Sequence, residues 1–498
     1  MTSAQSIRRL SALDGSFLRL ETQQSHMHVG WSAVFAAPGD DRPRPTIEAL
    51  RERAAGRLHE VPWCRWKLDS APLGLSEPRW IDDANFDLGA HIVQLTGPED
   101  PVSAETFEAL RATVLSAPLD RSRPLWQVFL VPRLQDGRVG MIGKIHHALV
   151  DGIAALQITS LVVDSEPDVP ARPPARWRPA GLPGPAGWAL DAARTAVSDG
   201  IGALRAGTEA VTHPRSSVSA AARSARRLAT AIVEDVLPAA PSSQLNERIG
   251  SRRTLVGYHA PRALLRAARG RGGTLNDVGL TAVAGALRTL ALRAGQPPDE
   301  PLKAMVPVSM RRRGEEGAGN QMAMVYLPLP IHLPTSAQRL EWVREQTARL
   351  KHTDRPEATQ TFVESLGLVP PPLRTPVARA LATPRQFNLT VSQSPAPRGS
   401  IYLLGCELEE VYSVVPIAQG HSLAIGMVRY RNELFFGCYA DPDALPEVRE
   451  LPRLLEAELE ELAAAAAAHR GRRRDDAATN GSGDGRQPSD GRARVPVG

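Results

Sequence analysis

The stretch VGMIGKIHHALVDGIAALQITSLVV, Val139 to Val163, passes from an apolar run through a pair of histidines to Asp151-Gly152 and a second apolar run. The first run is short and bounded by turn residues, which predicts a buried strand. The second, from Ile153, reads as a mostly buried helix. In a chain with only 12 histidines among 498 residues, two stand together at the junction, His146 and His147. Three readings of that junction compete on residue type alone. A strand end needs only a satisfied histidine and an Asp151 that accepts from the free N–H groups of the next helix's first turn. A metal site is disfavoured, because neighbouring strand residues point to opposite faces and no HExxH or third-ligand spacing accompanies them. General-base catalysis suits an imidazole, whose unperturbed pKa of ~6.5 lets it remove a proton at neutral pH.

Outward from this junction the chain alternates strand-like and helix-like stretches. HMHVGWSAVFA (His26–Ala36), LWQVFLVPRL and GRVGMIGKIHH read as strands, the last two joined by the turn QDG. TIEALRERAAGRL (Thr46–Leu58) and TFEALRATVLSAPLD (Thr106–Asp120) carry apolar residues at helical spacing. At about Glu166 the composition changes to a Pro-rich connector, EPDVPARPPARWRPAGLPGPAG, with no plausible core of its own, followed by Ala- and Arg-rich helical stretches to about Val236. A second unit begins near Pro241. Its clearest helix is NDVGLTAVAGALRTLALRAG; LKAMVPVSM, QMAMVYLPLPIHL, FNLTVSQS, IYLLGCELEEVYSVVPI, HSLAIGMVRY and ELFFGCYAD predict its strands. The Leu-rich LPRLLEAELEELAAAAAAH closes it. The expected division is residues 1–165, connector 166–240, second unit 241–468, and a disordered tail 469–498 of low apolar content.

Bulk composition narrows the class. With 42% hydrophobic and 23% charged residues the chain reads as soluble and globular, and its length implies more than one domain. The formal charge of +5 owes +3 to the tail from Arg470 onward, so the body is nearly neutral and lacks a nucleic-acid footprint. No run of ~18 apolar residues is present to span a membrane, and the first residues hold no apolar signal core. A cytoplasmic protein is expected, its three scattered cysteines forming neither disulfides nor a zinc cage. No metal and no cofactor are expected.

The wider surroundings of the histidines carry a resemblance. PLDRSRPLWQVFLVPRLQDGRVGMIGKIHHALVDG resembles the bacterial wax ester synthase/diacylglycerol acyltransferase family. That family belongs to the HxxxD acyltransferases, with chloramphenicol acetyltransferase and the condensation domains of peptide synthetases. LSALDGSFLRLETQQSHMHVG, PRWIDDANFDLGAHI, SSQLNERIGSRR, GGTLNDVGLTAVAGALR, VPVSMRRR and YADPDALPEV resemble further blocks, together spanning most of residues 8–465. The resemblance implies an α/β (α+β) fold of two chloramphenicol-acetyltransferase-like domains, each a mixed sheet with flanking helices, and an active-site tunnel at their interface. It implies acyl transfer from acyl-CoA to diacylglycerol or a fatty alcohol, yielding triacylglycerol or wax ester.

In that setting His147 is the expected general base, His146 a supporting residue, Asp151 the brace of the loop and Gly152 its turn. The chemistry fits: a thioester is already activated, so the alcohol needs a base rather than an enzyme nucleophile, and no GxSxG elbow is present. In TLNDVGL the family places its Asn-Asp block near the cleft, making Asn276 a substrate or oxyanion candidate. Asp277, three residues after Thr274, reads as half of a capping box.

Two departures stand out. Gln127 follows Trp126 where the family shows PLWE, and Ser392–Pro397 reads SQSPAP where it tends toward SNVPGP, with Ala396 in place of a glycine. HPRSSVSAAARSARRLATAIVEDV (His213–Val236) mixes arginines with an apolar face, as an interfacial helix does, and reads equally as a solvated crossover helix. Peripheral contact with the inner face of the plasma membrane or with lipid inclusions is therefore an open expectation. The alternatives are a condensation-type acyltransferase on a specialised or carrier-bound acceptor, and a non-catalytic lipid-binding protein.

Overall fold

The structure, a computed structural model, describes residues 8–69, 78–149, 152–180, 238–270, 272–309, 322–351, 371–394 and 399–481. The first half runs β1 (Arg8–Arg9), α1 (Ala12–Leu20), β2 (His28–Phe35), α2 (Ile47–Arg57), β3 (Trp66–Asp69), β4 (Arg79–Asp82), α3 (Leu88–His91), β5 (Ile92–Gln94), α4 (Ala104–Ser116), β6 (Trp126–Val131), β7 (Val139–His146) and α5 (Gly152–Val162). The second contributes β8 (Thr254–Ala260), α6 (Arg262–Arg269), α7 (Leu275–Arg293), β9 (Leu302–Ser309), β10 (Met322–Leu329), α8 (Ser336–Lys351) and α9 (Pro371–Leu381). It continues with β11 (Leu389–Ser394), β12 (Tyr402–Leu403), β13 (Cys406–Val414), β14 (Leu423–Tyr430), β15 (Glu433–Ala440) and α10 (Leu451–Gly481). The strands anticipated from alternation are all present.

Two six-stranded mixed sheets result, in the orders β12-β13-β2-β7-β6-β5 and β10-β9-β11-β14-β15-β8, with a small antiparallel sheet β1-β4-β3 beside them. In the first sheet only β5–β6 is parallel; in the second, β9–β11–β14 is parallel. The chain is thus α/β, with two sheet-bearing units. Chain order and spatial order differ at one place: β12 and β13, from the second half, complete the first half's sheet, β13 pairing antiparallel with β2 from Leu408↔Phe35 to Val414↔Gly30. A unit drawn over 241–468 does not contain that exchange.

The period-two alternation of the second sheet assigns its faces. Leu389, Val391, Ile425, Met427, Leu434, Phe436 and Cys438 join α7 and α10 in one core, whereas Ala424, Val428, Tyr430, Phe435 and Tyr439 turn to the first sheet. The two sheets come close because the facing strands lack side chains where β13 crosses. A Cβ on Gly437 would stand 2.4 Å from the Ser413 carbonyl oxygen, and one on Gly257 2.5 Å from the Tyr412 ring.

Two expectations change. The Pro-rich connector is tied to the first half as far as it is described: Arg53, which with Arg57 clamps Asp164 just before it, donates to Val169 O at 2.6 Å, Arg65 lies over Trp177 and Ala180 N–H donates to Asp82. Arginines of the first half supply the partners that the connector's own composition lacks. α10 also extends to Gly481, past the expected tail boundary at residue 469, because RGRRRDDAAT continues the poly-Ala helix without Pro. Residues 181–237, including the candidate interfacial helix at His213–Val236, lie outside the described residues. Cys64, Cys406 and Cys438 are buried free thiols.

Burial of histidine in this fold sets an acid limit. His421 stacks on Phe387 with ring centroids 4.1 Å apart and donates from Nε2 to the Phe387 carbonyl at 3.1 Å. Burial pushes its pKa down to about 4. The unfolded chain takes up a proton near pH ~6.5, which the folded chain refuses until about pH 4. Stability from this group is therefore complete above the unfolded pKa and is lost as pH falls toward the folded one, by about 3 kcal/mol in all. Urea unfolding at pH 7, 5.5 and 4.5 is expected to show that loss, and His421→Asn to flatten it; equal slopes in the two proteins would refute the assignment.

Candidate active site

β7 ends at His146, and the turn that follows is held by backbone bonds on both sides. His146 N–H donates to Leu125 O and His147 N–H to Met27 O, each at 2.9 Å, and Leu149 N–H returns to His146 O at 3.0 Å. His147 is thereby carried past the strand end. Its imidazole lies against Phe17 of α1, ring centroids 3.9 Å apart and planes 10° from parallel, and the residue is 8% exposed. α1 is pinned at its start by a Ser11–Asp14 capping box, which fixes the surface on which His147 rests.

His146 faces the other way and is fully buried. Its Nδ1 accepts from the Ala148 N–H at 3.0 Å, so Nε2 carries the proton and faces Glu21 Oε1 at 3.5 Å. Burial alone would raise the Glu21 carboxyl; the contact with His146 and that with Arg121 override it and leave the pKa below the usual carboxylate value. Arg121 donates Nε to Glu21 Oε2 at 2.6 Å and also reaches the Leu18 carbonyl at 2.9 Å. Glu21 and Arg121 thus brace the histidine turn. The sequence singled out neither: nothing local distinguishes Glu21 in LRLETQQ, and its partners lie 100 and 125 residues away.

Beneath the turn lies a basic, buried layer. Lys144 donates to the Val114 and Ala117 carbonyls at 3.0 and 2.9 Å, closing the C-terminal end of α4, and burial pushes its pKa down to about 8. His28, paired with His146 across β2–β7, is held well below the ordinary histidine value by burial first and by Lys144 second. His26 is lowered by burial and by Arg253.

His147 opens onto a cavity between the two sheets, about 1380 Å³ of empty space counting its opening to solvent. One wall comes from the first sheet and α5, with Trp31, Ala33, Phe35, Met141 and Thr159; the other comes from the second sheet, with Met305, Pro307, Met324, Thr390, Ser392 and Ser394. β13 closes the side with Val411 and Ser413. Trp31 keeps its place because residue 143 is glycine: a Cβ there would stand 2.2 Å from the indole. The cavity is chiefly apolar, with one reactive imidazole on its wall.

The remaining expected site residues divide. Gly152 begins α5, and Asp151 lies outside the described residues. Asp277 is the N3 residue of a capping box with Thr274 and also accepts from Thr347 Oγ1 at 2.8 Å. Asn276 is in the first turn of α7, which packs on the face of the second sheet turned away from the first, and is not among the residues lining the cavity. Gln127 is likewise remote, its amide 3.4 Å from the Ala90 carbonyl, while Trp126 donates to Cys64 O at 2.7 Å inside the first core.

The chain matches two family descriptions, the wax ester synthase/diacylglycerol acyltransferase catalytic domain over residues 10–279 and the C-terminal domain of the same kind over 318–463. It is 31% identical over 464 residues to a putative diacylglycerol O-acyltransferase of Mycobacterium tuberculosis, covering 91% of this chain and 99% of that one. A probable diacylglycerol O-acyltransferase of the same organism is 28% identical over 460 residues, covering 90% and 94%. Among solved structures, the wax ester synthase/diacylglycerol acyltransferase from Marinobacter aquaeolei VT8 has a TM-score of 0.64 at 23% identity, over 92% of this chain and 100% of that one. The first condensation domain of the calcium-dependent antibiotic synthetase has a TM-score of 0.55 at 17% identity, over 93% and 97%, a likeness of fold.

Proposed function

The chain belongs to the wax ester synthase/diacylglycerol acyltransferase family and is an acyltransferase, and we propose that it carries a long-chain acyl group from CoA to a lipid hydroxyl with His147 as the base. Acyl-CoA and a lipid alcohol are its substrates. The observation that carries the assignment of His147 is its position: an imidazole on the wall of an apolar cavity built from both sheets.

The neutral imidazole takes the proton of the acceptor hydroxyl as the oxygen attacks the thioester carbonyl. The tetrahedral intermediate then collapses, the C–S bond breaks, and the CoA thiolate recovers the proton from the imidazolium. A thiol of pKa ~8.5 leaves readily, so proton transfer and positioning supply the catalysis. The flat stack on Phe17 holds the ring in one plane, and the Glu21–His146 contact holds the turn that carries it. The largely apolar wall suits the methylene chain of a long acyl group. Residues 1–165 and 241–468 are proposed as the two acyltransferase halves, joined by the connector.

Among the described residues no helix is long and apolar enough to cross a membrane. Diacylglycerol has to be met at a lipid surface, and we propose a peripheral contact for that step.

Release of CoA thiol by the purified protein, given palmitoyl-CoA with diacylglycerol or hexadecanol, tests the reading. Acceptor-dependent release supports it. No release with either acceptor, from protein shown to be folded, overturns it in favour of a specialised acceptor or a lipid-binding role.

A further inference from the structure

One strand of the cavity wall is chemically unlike the rest. β11 alternates, so Leu389 and Val391 enter the helix-covered core while Thr390, Ser392 and Ser394 line the cavity. Two residues of strand advance ~6.6 Å, so the three hydroxyls form a row at about that repeat. Ser413 of β13 extends it, its Oγ 3.4 Å from that of Ser394. Ser392 is paired with Gly426 on β14, over which Ser413 lies. Among the described residues, neither Thr390 nor Ser392 has a side-chain hydrogen-bond partner. Facing them across the cavity are Ala33, Phe35 and Met141, which offer nothing polar to bond, and Trp31, whose buried indole N–H has no partner among the described residues.

Hydroxyls turned into an apolar cavity lose their water when a ligand enters and must find partners on it. A plain alkyl chain has none. A molecule with carbonyl oxygens spaced along an otherwise apolar body does, and two substrates of this reaction fit that description: an acceptor with internal esters, or the amide-bearing arm of CoA. The lining favours the acceptor: it holds no charged side chain among the described residues, which suits an uncharged ester-bearing lipid better than the phosphate-bearing CoA.

Resting on the acyl-transfer reading, we propose that the hydroxyl row of Thr390, Ser392 and Ser394, extended by Ser413, binds the ester carbonyls of the acceptor and selects diacylglycerol over unfunctionalised long-chain alcohols. The hydroxyls donate to the carbonyls, and no covalent step is involved. Thr390 and Ser394 are specificity residues; the base remains His147.

The test compares kcat/KM for palmitoyl transfer to diacylglycerol and to hexadecanol, in mixed micelles of one composition, for the wild type, Thr390→Val, Ser394→Val and the double variant. Thr390→Val keeps the side-chain shape, and Ser394→Val installs the family's residue. The diacylglycerol-to-hexadecanol ratio is expected to fall about tenfold in the double variant, the worth of roughly one net hydrogen bond. Ser394→Thr, which keeps the hydroxyl, is expected to retain the ratio. An unchanged ratio overturns the proposal. So does a parallel fall on both acceptors with a raised KM for palmitoyl-CoA, which would assign the row to the CoA arm. Thermal melting checks each variant, and Thr390→Val alone is read in the same way if the double variant does not fold. A wild type that turns over neither acceptor removes the acyl-transfer reading itself, whereas a wild type active on both with an unmoved ratio removes only this one.

Discussion

His147→Ala is expected to lower kcat for acyl transfer by about 10³-fold, within the 10²–10⁴ range that a positioned general base supplies. The imidazole is the only group replaced. The turn's backbone bonds, His147 N–H to Met27 O and His146 N–H to Leu125 O, do not depend on it. The stack on Phe17 is lost with it. The variant should therefore melt as a folded protein and still bind palmitoyl-CoA, so that the loss falls on kcat rather than on the KM for the donor. His146→Ala should behave differently. That ring accepts from Ala148 N–H and faces Glu21, so its removal loosens the turn without removing the base. Rates measured for both variants with one acceptor decide the matter. A His147→Ala protein with full turnover would assign the reaction to another group, and a greater loss in His146→Ala would reverse the roles given to the pair.

Arg253→Met is expected to destabilise the fold by about 3–5 kcal/mol, the cost of stripping a buried charge of its partner. Arg253 is 2% exposed and stands where the two halves meet. Its guanidinium donates to the Gln24 carbonyl of the first half and to Gly250 O at 2.9 Å, and lies 3.6 Å from Asp441. Its own N–H donates to Ser116 Oγ at 2.8 Å. Nearby, Tyr439 OH reaches the Leu115 carbonyl at 3.2 Å and stands 3.3 Å from His28 Nε2. Methionine fills much of the space and leaves the buried Asp441 without a counter-charge, its carboxylate held only by the N–H groups of Gly250, Asp443 and Ala444. Adding Asp441→Asn removes that leftover charge, so the double variant should recover part of the loss, the non-additivity expected of residues in one network. Urea unfolding of the two single variants and the double one measures it. A shift under about 1 kcal/mol for Arg253→Met would show that the charge is solvated and does not join the halves.

The elements themselves were legible because their signals are local. Alternation in HVGWSAVF and LAIGMVRY marks strands, and Thr274 with Asp277 marks a helix start before any contact is known. The His146–His147 pair was legible for a similar reason: few residue types do proton transfer at neutral pH, and a buried strand delivers this pair to a turn. What was not legible depended on distance along the chain. Glu21, for one, meets His146 across 125 residues.

By itself, then, the amino-acid sequence determined the class of fold, the order and bounds of most strands, the imidazole at the end of β7 and the chemistry open to it. Hydropathy periodicity states which face of a strand is buried; it does not state what will cover that face. Tertiary structure decided the rest. It sent β13 into the other half's sheet, brought Gly257, Gly426 and Gly437 under it, and turned Thr390, Ser392 and Ser394 toward Trp31 and Met141 around one cavity. Each of these depends on packing between segments hundreds of residues apart. The free energy of such contacts exists only once both surfaces have formed, and it leaves no periodic trace in either segment alone.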